Sequence, residues 1–488
     1  MNFHSFKCRL GFVACLCFAA LFASAASESD CRRLYDQVDQ AIVRSGVRDA
    51  QETIVKGYPY LRSNRFLASV VTQADSDERF DFLLRQMAAL DQRARRLELS
   101  NLPPSTRATL ELAKDDLVPG ETDLSTALEQ CANTLLSVDN TQPNAIKAKV
   151  VTASRYSVFK RLLGFYPISA VPFSRGIRKF QAQMKQIYGR NLNEVIRDTD
   201  VIFHVPAPTE RVDIAAILRD SSDNPLRIPM PNADRLAQLF AQFAPNFAID
   251  TRGDFDRPGA IKWGDDGRSH VDPSSPTIYT LASHTQFEGQ TLLQLNFAIW
   301  FSERPKKGKL DMLGGALDGL IWRVTLAPDG APLLYDSIHP CGCHHLFFPS
   351  DRLRALPPHR SLQEVAYVPQ LAPRLSPGER PTIWVESATH YIVRITNDVA
   401  HSGAPYELAD NDQLRSLPNS DGTRRSLFRP DGLIEGTERG ERWFFWPMGI
   451  ANAGAMRQWG HHATAFVGMR HFDDANLIEK AFVSANSK

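Results

Sequence analysis

The chain has 488 residues, 43% of them hydrophobic and 23% charged, and its 56 Lys and Arg against 55 Asp and Glu leave a formal charge of +1. So small a net charge excludes a whole-molecule field that would gather nucleic acid or an anionic surface. The length exceeds what one core usually holds, which predicts two domains of ordinary globular composition.

Lys7 and Arg9 precede an apolar run over residues 10–22, and Ala23-Ser24-Ala25 supplies the small-x-small pattern of a signal-peptidase site. Residues 1–25 therefore read as a cleaved signal, and the product as an exported protein, periplasmic or secreted. The run is short of the ~20 residues that cross a bilayer as a helix. No later stretch is both long and uncharged enough, so the mature chain is expected to have no transmembrane helix. Glu28-Ser29-Asp30 argues against a lipid anchor on Cys31. Cleavage removes Lys7 and Arg9, taking the formal charge from +1 to −1, and leaves Cys31, Cys131, Cys341 and Cys343 in an oxidising compartment.

Residues 26–140 carry apolar side chains at spacings of three and four. Leu34, Val38 and Ile42 mark one helix, Phe80, Leu83, Met87 and Leu90 a second, and Leu124, Leu128, Cys131 and Leu135 a third. Asp75 with Glu78 resembles a capping box for the second helix, which Pro103-Pro104 ends. Cys31 and Cys131 lie on helices of this one region and form the natural disulfide pair. A packing module without chemistry is the expected role.

Residues 141–240 read as a mixed connector. Its aromatic, aliphatic and basic stretch from Tyr156 to Pro167, followed by Arg175, Arg178, Lys179 and Lys185, offers peripheral contact with a membrane surface. Pro167 and Pro172 interrupt it, which favours an amphipathic helix against a neighbouring domain.

From 241 to 488 the period becomes two. Leu293, Leu295, Phe297, Ile299 and Phe301 alternate with Gln294, Asn296, Ala298 and Trp300, as in a strand with one buried face. Strands at 321–326 and 333–338 flank an Asp-Gly turn, and two more are expected at 382–386 and 390–395. Residues 401–440 read as a long surface excursion, Trp443-Phe-Phe-Trp446 as core or groove lining, and 473–485 as a closing helix. The whole is an α+β chain, with a helical N-terminal domain and a larger β-rich, mainly antiparallel C-terminal domain.

The densest chemistry lies at the tip after 333–338, where the chain reads Ser-Ile-His-Pro-Cys-Gly-Cys-His-His-Leu-Phe. Imidazole and thiolate are the donors of zinc and copper sites. In an extended strand the outer donors would stand ~20 Å apart, but Pro340 and Gly342 permit a tight loop. The expected metal set is His339, Cys341, Cys343, His344 and His345 with His284. Glu288 or His390 would be catalytic, Glu288 as general base toward metal-bound water; His390 and His461-His462 are further candidate ligands. One residue rather than two between Cys341 and Cys343 excludes c-type haem attachment and a thioredoxin motif. A papain-type arrangement of a cysteine with His390 and Asn397 lacks the helix after the nucleophile. These residues predict metal-assisted hydrolysis or oxidation of a small or polymeric envelope substrate. The alternatives are a reactive thiol or redox role, and a non-catalytic periplasmic binding protein with a structural Cys341–Cys343 disulfide.

Overall fold

The structure, a computed structural model, describes residues 26–196, 200–357, 363–376, 378–398 and 403–485; the expected signal segment lies outside them. The fold is α+β. In the N-terminal part four helices pack together: α1 (Glu28–Ser45), α2 (Asp77–Asn101), α3 (Pro104–Leu117) and α4 (Leu124–Asp139). Helix α1 starts where the Ser27 side chain accepts from Asp30 N–H and stops at Gly46, whose φ of 65° suits a residue without Cβ. Its buried stripe is Leu34, Tyr35, Val38 and Ile42. Helix α2 is capped by Ser76, which accepts from Arg79 N–H, and not by Asp75. Cys31 on α1 is bonded to Cys131 on α4. Between α1 and α2 a hairpin, Thr53–Val55 with Tyr58–Ser63, carries Arg62 into full burial against Asp91 and Glu98 at 2.9 and 2.7 Å.

Ten strands form one sheet: β1 (Val201–Pro206), β2 (Asn246–Asp250), β3 (Thr277–Phe287), β4 (Gln290–Arg304), β5 (Gly315–Leu326), β6 (Pro332–Ile338), β7 (Leu346–Pro349), β8 (Thr382–Val385), β9 (Ile392–Thr396) and β10 (Ala404–Asp410). Their order is β7-β6-β5-β4-β3-β10-β1-β2-β8-β9. Neighbours are antiparallel except β10 beside β3, β10 beside β1 and β8 beside β2. β5 and β8 are six steps apart in that order, roughly 29 Å on a flat sheet. Yet His390, in the turn after β8, lies 2.8 Å from Asp318 on β5. The accumulated strand twist has rolled the sheet until distant strands meet.

Leu293, Leu295, Phe297, Ile299 and Phe301 of β4 share a core with residues of α6 (Tyr166–Gly189), α7 (Ile214–Ser221) and α8 (Ala233–Phe243). Helix α6 follows the short α5 (Val158–Leu163). The other face of β4 is buried as well, with Ala298 and Trp300 under Leu414, Leu417, Leu427 and Phe428. The expectation of one buried face is therefore corrected, and so is the surface excursion at 401–440: its described part supplies β10 and roofs the sheet. The connector too joins the sheet, through β1. At the C-terminus the helix is confined to Leu477–Ala481, before the strand Phe482–Ser484.

The helical part is tied to the rest of the chain by buried and half-buried ion pairs. Arg415 reaches Asp49 and Glu52 at 2.8 and 3.1 Å, and Arg65 reaches Asp473 at 2.8 Å.

Candidate functional site

Residues 339–345 join β6 to β7 in a tight turn. Gly342 N–H donates to the His339 carbonyl at 2.8 Å, and His339 N–H donates to the Cys343 carbonyl at 3.0 Å. Gly342 has φ of 89°, and a Cβ there would stand 2.6 Å from the Ala463 carbonyl oxygen, so glycine is required twice over. Arg457 clamps the tip from outside, its N–H on the Pro340 carbonyl and its Nε on the Cys341 carbonyl.

The turn scatters its donors. Cys341 is buried against Ile338, Met456 and Phe472. Cys343 is half-buried, with Sγ 4.0 Å from Glu441 Oε1, and its N–H donates to Cys341 Sγ at 3.4 Å. Both thiols are free. His345 turns away: its Nε2 is 2.9 Å from Asp336, which Arg323 also holds, and its ring stacks on Phe347 at 4.0 Å. His344 lies over Tyr391 and Phe180 at 4.3 and 4.9 Å, with His339 at 5.1 Å.

A buried chain of carboxylates and imidazoles runs behind the turn. Asp318 Oδ2 is 2.8 Å from His390 Nδ1, and its Oδ1 is 3.4 Å from His339 Nδ1. His390 Nε2 lies 3.3 Å from Asp256, and the ring stacks on Phe301 at 4.0 Å. Burial alone would push the His390 pKa down, but the two carboxylates override it and raise the value. Burial would raise Asp318, yet hydrogen bonds from His339 and His390 hold it well below the usual carboxylate range. With both nitrogens facing carboxylates, His390 is not free to take a proton from a cysteine, and Asn397 is exposed beyond β9. The papain-type arrangement is thereby corrected.

Backbone strain gathers here. Among the described residues eight non-glycines have positive φ, and four of them, Leu317, His344, Ala388 and His390, are in or beside this network. Each such residue costs on the order of 1–3 kcal/mol, which persists where the surrounding structure holds it in place.

Cys343, His344, Tyr391 and Glu441 line a groove of about 500 Å3 whose other walls include Phe173, Ile177, Phe180, Phe445 and Phe466. Burial pushes the Glu441 carboxyl up to about 7. The hydrogen bond with Cys341, followed by burial, raises the Cys343 thiol well above its ordinary value. Burial, reinforced by His339, keeps His344 neutral. Arg304 donates to the Tyr391 hydroxyl at 3.3 Å.

Two expected residues are elsewhere. His284 pairs with Leu293 on β4, eight positions from Phe301, which pairs with Asp318; that is roughly 25 Å along the strand. Its Nε2 contacts the Pro229 carbonyl at 2.7 Å. Glu288 is exposed at the β3–β4 turn, still farther off. His461 contacts the Ala50 carbonyl at 2.7 Å. A zinc or copper ion needs three or four donors on one point, and among the described residues no three His, Cys, Asp or Glu side chains meet in that way. The expected set is divided, with His284 on the Pro229 carbonyl and His345 on Asp336, apart from Cys343 and His344.

The chain matches no protein-family model, no curated protein and no solved structure. Asp256, Asp318, Tyr391 and Glu441 were not anticipated. Only Asp318 carries a sequence signal, a lone carboxylate in the apolar strand Ala-Leu-Asp-Gly-Leu-Ile.

Proposed function

We propose that the chain is an exported thiol-dependent hydrolase or acyltransferase, acting on an ester or amide with an apolar acyl chain. The observation that carries this reading is the meeting of a thiol, a carboxyl group balanced near neutrality and a neutral imidazole in a mainly apolar groove. A protonated thiol needs a base beside it, and a carboxyl with pKa near the working pH is the best proton carrier. Cys343 Sγ attacks the acyl carbonyl while the Glu441 carboxylate accepts the thiol proton. The departing alkoxide or amine takes that proton back and leaves a thioester. Water then adds to the thioester, giving a proton to Glu441; the C–S bond breaks, the Cys343 thiolate takes that proton back, and the acid is released. Tyr391, polarised by Arg304, and neutral His344 supply donors toward the carbonyl oxygen.

Hydrolysis of nitrophenyl esters of increasing acyl length tests this. Activity is expected to rise with chain length and to climb with pH through about 7, as Glu441 ionises. Glu441→Gln should lower kcat/KM by roughly 10²–10⁴ and remove that limb; Cys343→Ser should lose as much or more. Activity independent of both residues would refute the assignment, as would stoichiometric zinc or copper that disappears with Cys341→Ser and Cys343→Ser.

One observation favours a second reading. Cys341 and Cys343 are unlinked neighbours, the Cys343 N–H donating to Cys341 Sγ, which suits a dithiol that exchanges with a substrate disulfide, closing as that disulfide is reduced to two thiols. A Cys341→Ser variant that loses all activity would favour this redox role, because the acyl-transfer reading needs Cys343 alone.

A further inference from the structure

We infer that α5, the start of α6 and the helix α9 (Arg442–Phe445) form a docking surface for an anionic lipid membrane. Helix α5 has no buried residue. Val158, Phe159, Leu162 and Leu163 recur at spacings of one and four, so they share one face, and they are 77%, 68%, 73% and 55% exposed. Phe165 and Ile168, at the joint into α6, are exposed as well. This joint is closely packed: a Cβ on Gly164 would meet the Pro447 Cβ at 2.5 Å, and Arg161 donates to the Met448 carbonyl at 2.9 Å. Those contacts bring α9 alongside, where Trp443, Phe444 and Trp446 are exposed while Phe445 packs on Phe173 at 5.2 Å.

Exposed apolar side chains on packed neighbouring helices, two tryptophans among them, fit a lipid interface. Charge selects the occupant. From 140 to 193 the sequence holds ten Lys and Arg and no Asp or Glu, against near neutrality for the chain as a whole. Arg175, Arg178, Lys179 and Lys185 are exposed along α6. Such an acid-free basic segment complements the phosphates of anionic lipids and would repel a second copy of itself. No described helix is long and apolar enough to cross the bilayer, so the contact is peripheral. The geometry also gives it a use, because Phe173 and Phe445 bridge the patch and the walls of the apolar groove. The surface stands on its own observations, and the acyl-chain reading of the groove can fail without it.

Flotation of the purified protein with vesicles of phosphatidylglycerol and phosphatidylethanolamine, and with phosphatidylcholine alone, tests the assignment. Binding is expected to the anionic vesicles, weakening as salt rises. It should fall roughly tenfold or more in Phe159→Ser/Leu162→Ser/Ile168→Ser and in Arg178→Glu/Lys179→Glu. The second variant changes only exposed positions, so it reports even if the first folds poorly. Cys343→Ser should bind like the parent, which separates this surface from the chemistry of the groove. Absence of binding to anionic vesicles, or binding by both surface variants equal to that of the parent, overturns the proposal. So does a dimer in solution that the triple variant disperses with no vesicle binding, which would assign the patch to a second copy.

Discussion

Glu441 matters because of what stands next to it. A buried carboxyl with pKa near 7 is half ionised at neutral pH, and Cys343 is the proton donor within its reach. Asp318 has the opposite character, since it is held ionised and clamps His339 and His390 together. Asp318→Asn removes one of the two carboxylates that face the buried His390 ring. Denaturant unfolding is expected to show a loss of about 3–5 kcal/mol. At this scale the sequence exposes the cluster and not its partners. Soft donors packed into 339–345 are visible in one line of text, and Pro340 with Gly342 correctly announces a turn. What a turn does with its side chains depends on Arg457, Ala463 and Glu441, all more than ninety residues away. That is why six candidate ligands resolve into a groove-lining pair, Cys343 and His344, a carboxylate-bound His339, a core thiol at Cys341, a structural His345 and a distant His284.

At the scale of elements, amphipathic periodicity reads well wherever one face meets a core and the other meets water. Helices α1, α2 and α4 were legible for that reason. The hairpin that carries Arg62 was not, because its charged residue is buried by partners on α2. Residues 403–440 look like solvent-facing loop by composition, yet Leu414, Leu417, Leu427 and Phe428 cover the outer face of β4. Irregular chain can bury a sheet as long as its own hydrogen bonds are met locally. The link between α1 and α4 closes 100 residues, and a loop of that length gives up about 4.7 kcal/mol of chain entropy on the simplest model. Cys31→Ser/Cys131→Ser is expected to lose about 2–5 kcal/mol, read as a lower denaturant midpoint. Equal stability of the two proteins would show that the helical part needs no covalent tie.

For the whole molecule, the rolled sheet creates a large buried polar population, and pH is the variable that reports it. Burial depresses seven histidines, His204, His284, His339, His344, His345, His461 and His462, with His204 at about 4 and His345, His461 and His462 at about 3. Below pH ~6.5 the unfolded chain takes up protons that these native imidazoles refuse, so stability falls as pH falls, by up to about 1.4 kcal/mol per unit for each group. Three buried glutamates with raised values, Glu52, Glu364 and Glu441, act in the opposite sense between pH ~4.5 and their folded values. His390 also has the opposite sign, its contribution being complete below ~6.5 and lost as pH rises through its folded value. The histidines outnumber the glutamates, and melting temperature is expected to drop steadily from pH 6.5 toward 4. A flat profile over that range would mean that the histidines are not buried in the neutral form.

The most direct measurement of the central claim is the covalent intermediate. Purified protein mixed rapidly with a long-chain acyl ester and quenched in acid should gain the mass of one acyl group, located on Cys343 by peptide mapping. The adduct should be absent from Cys343→Ser and slow to form in Glu441→Gln. Turnover of the ester with no acyl group on Cys343 at any time would contradict the account.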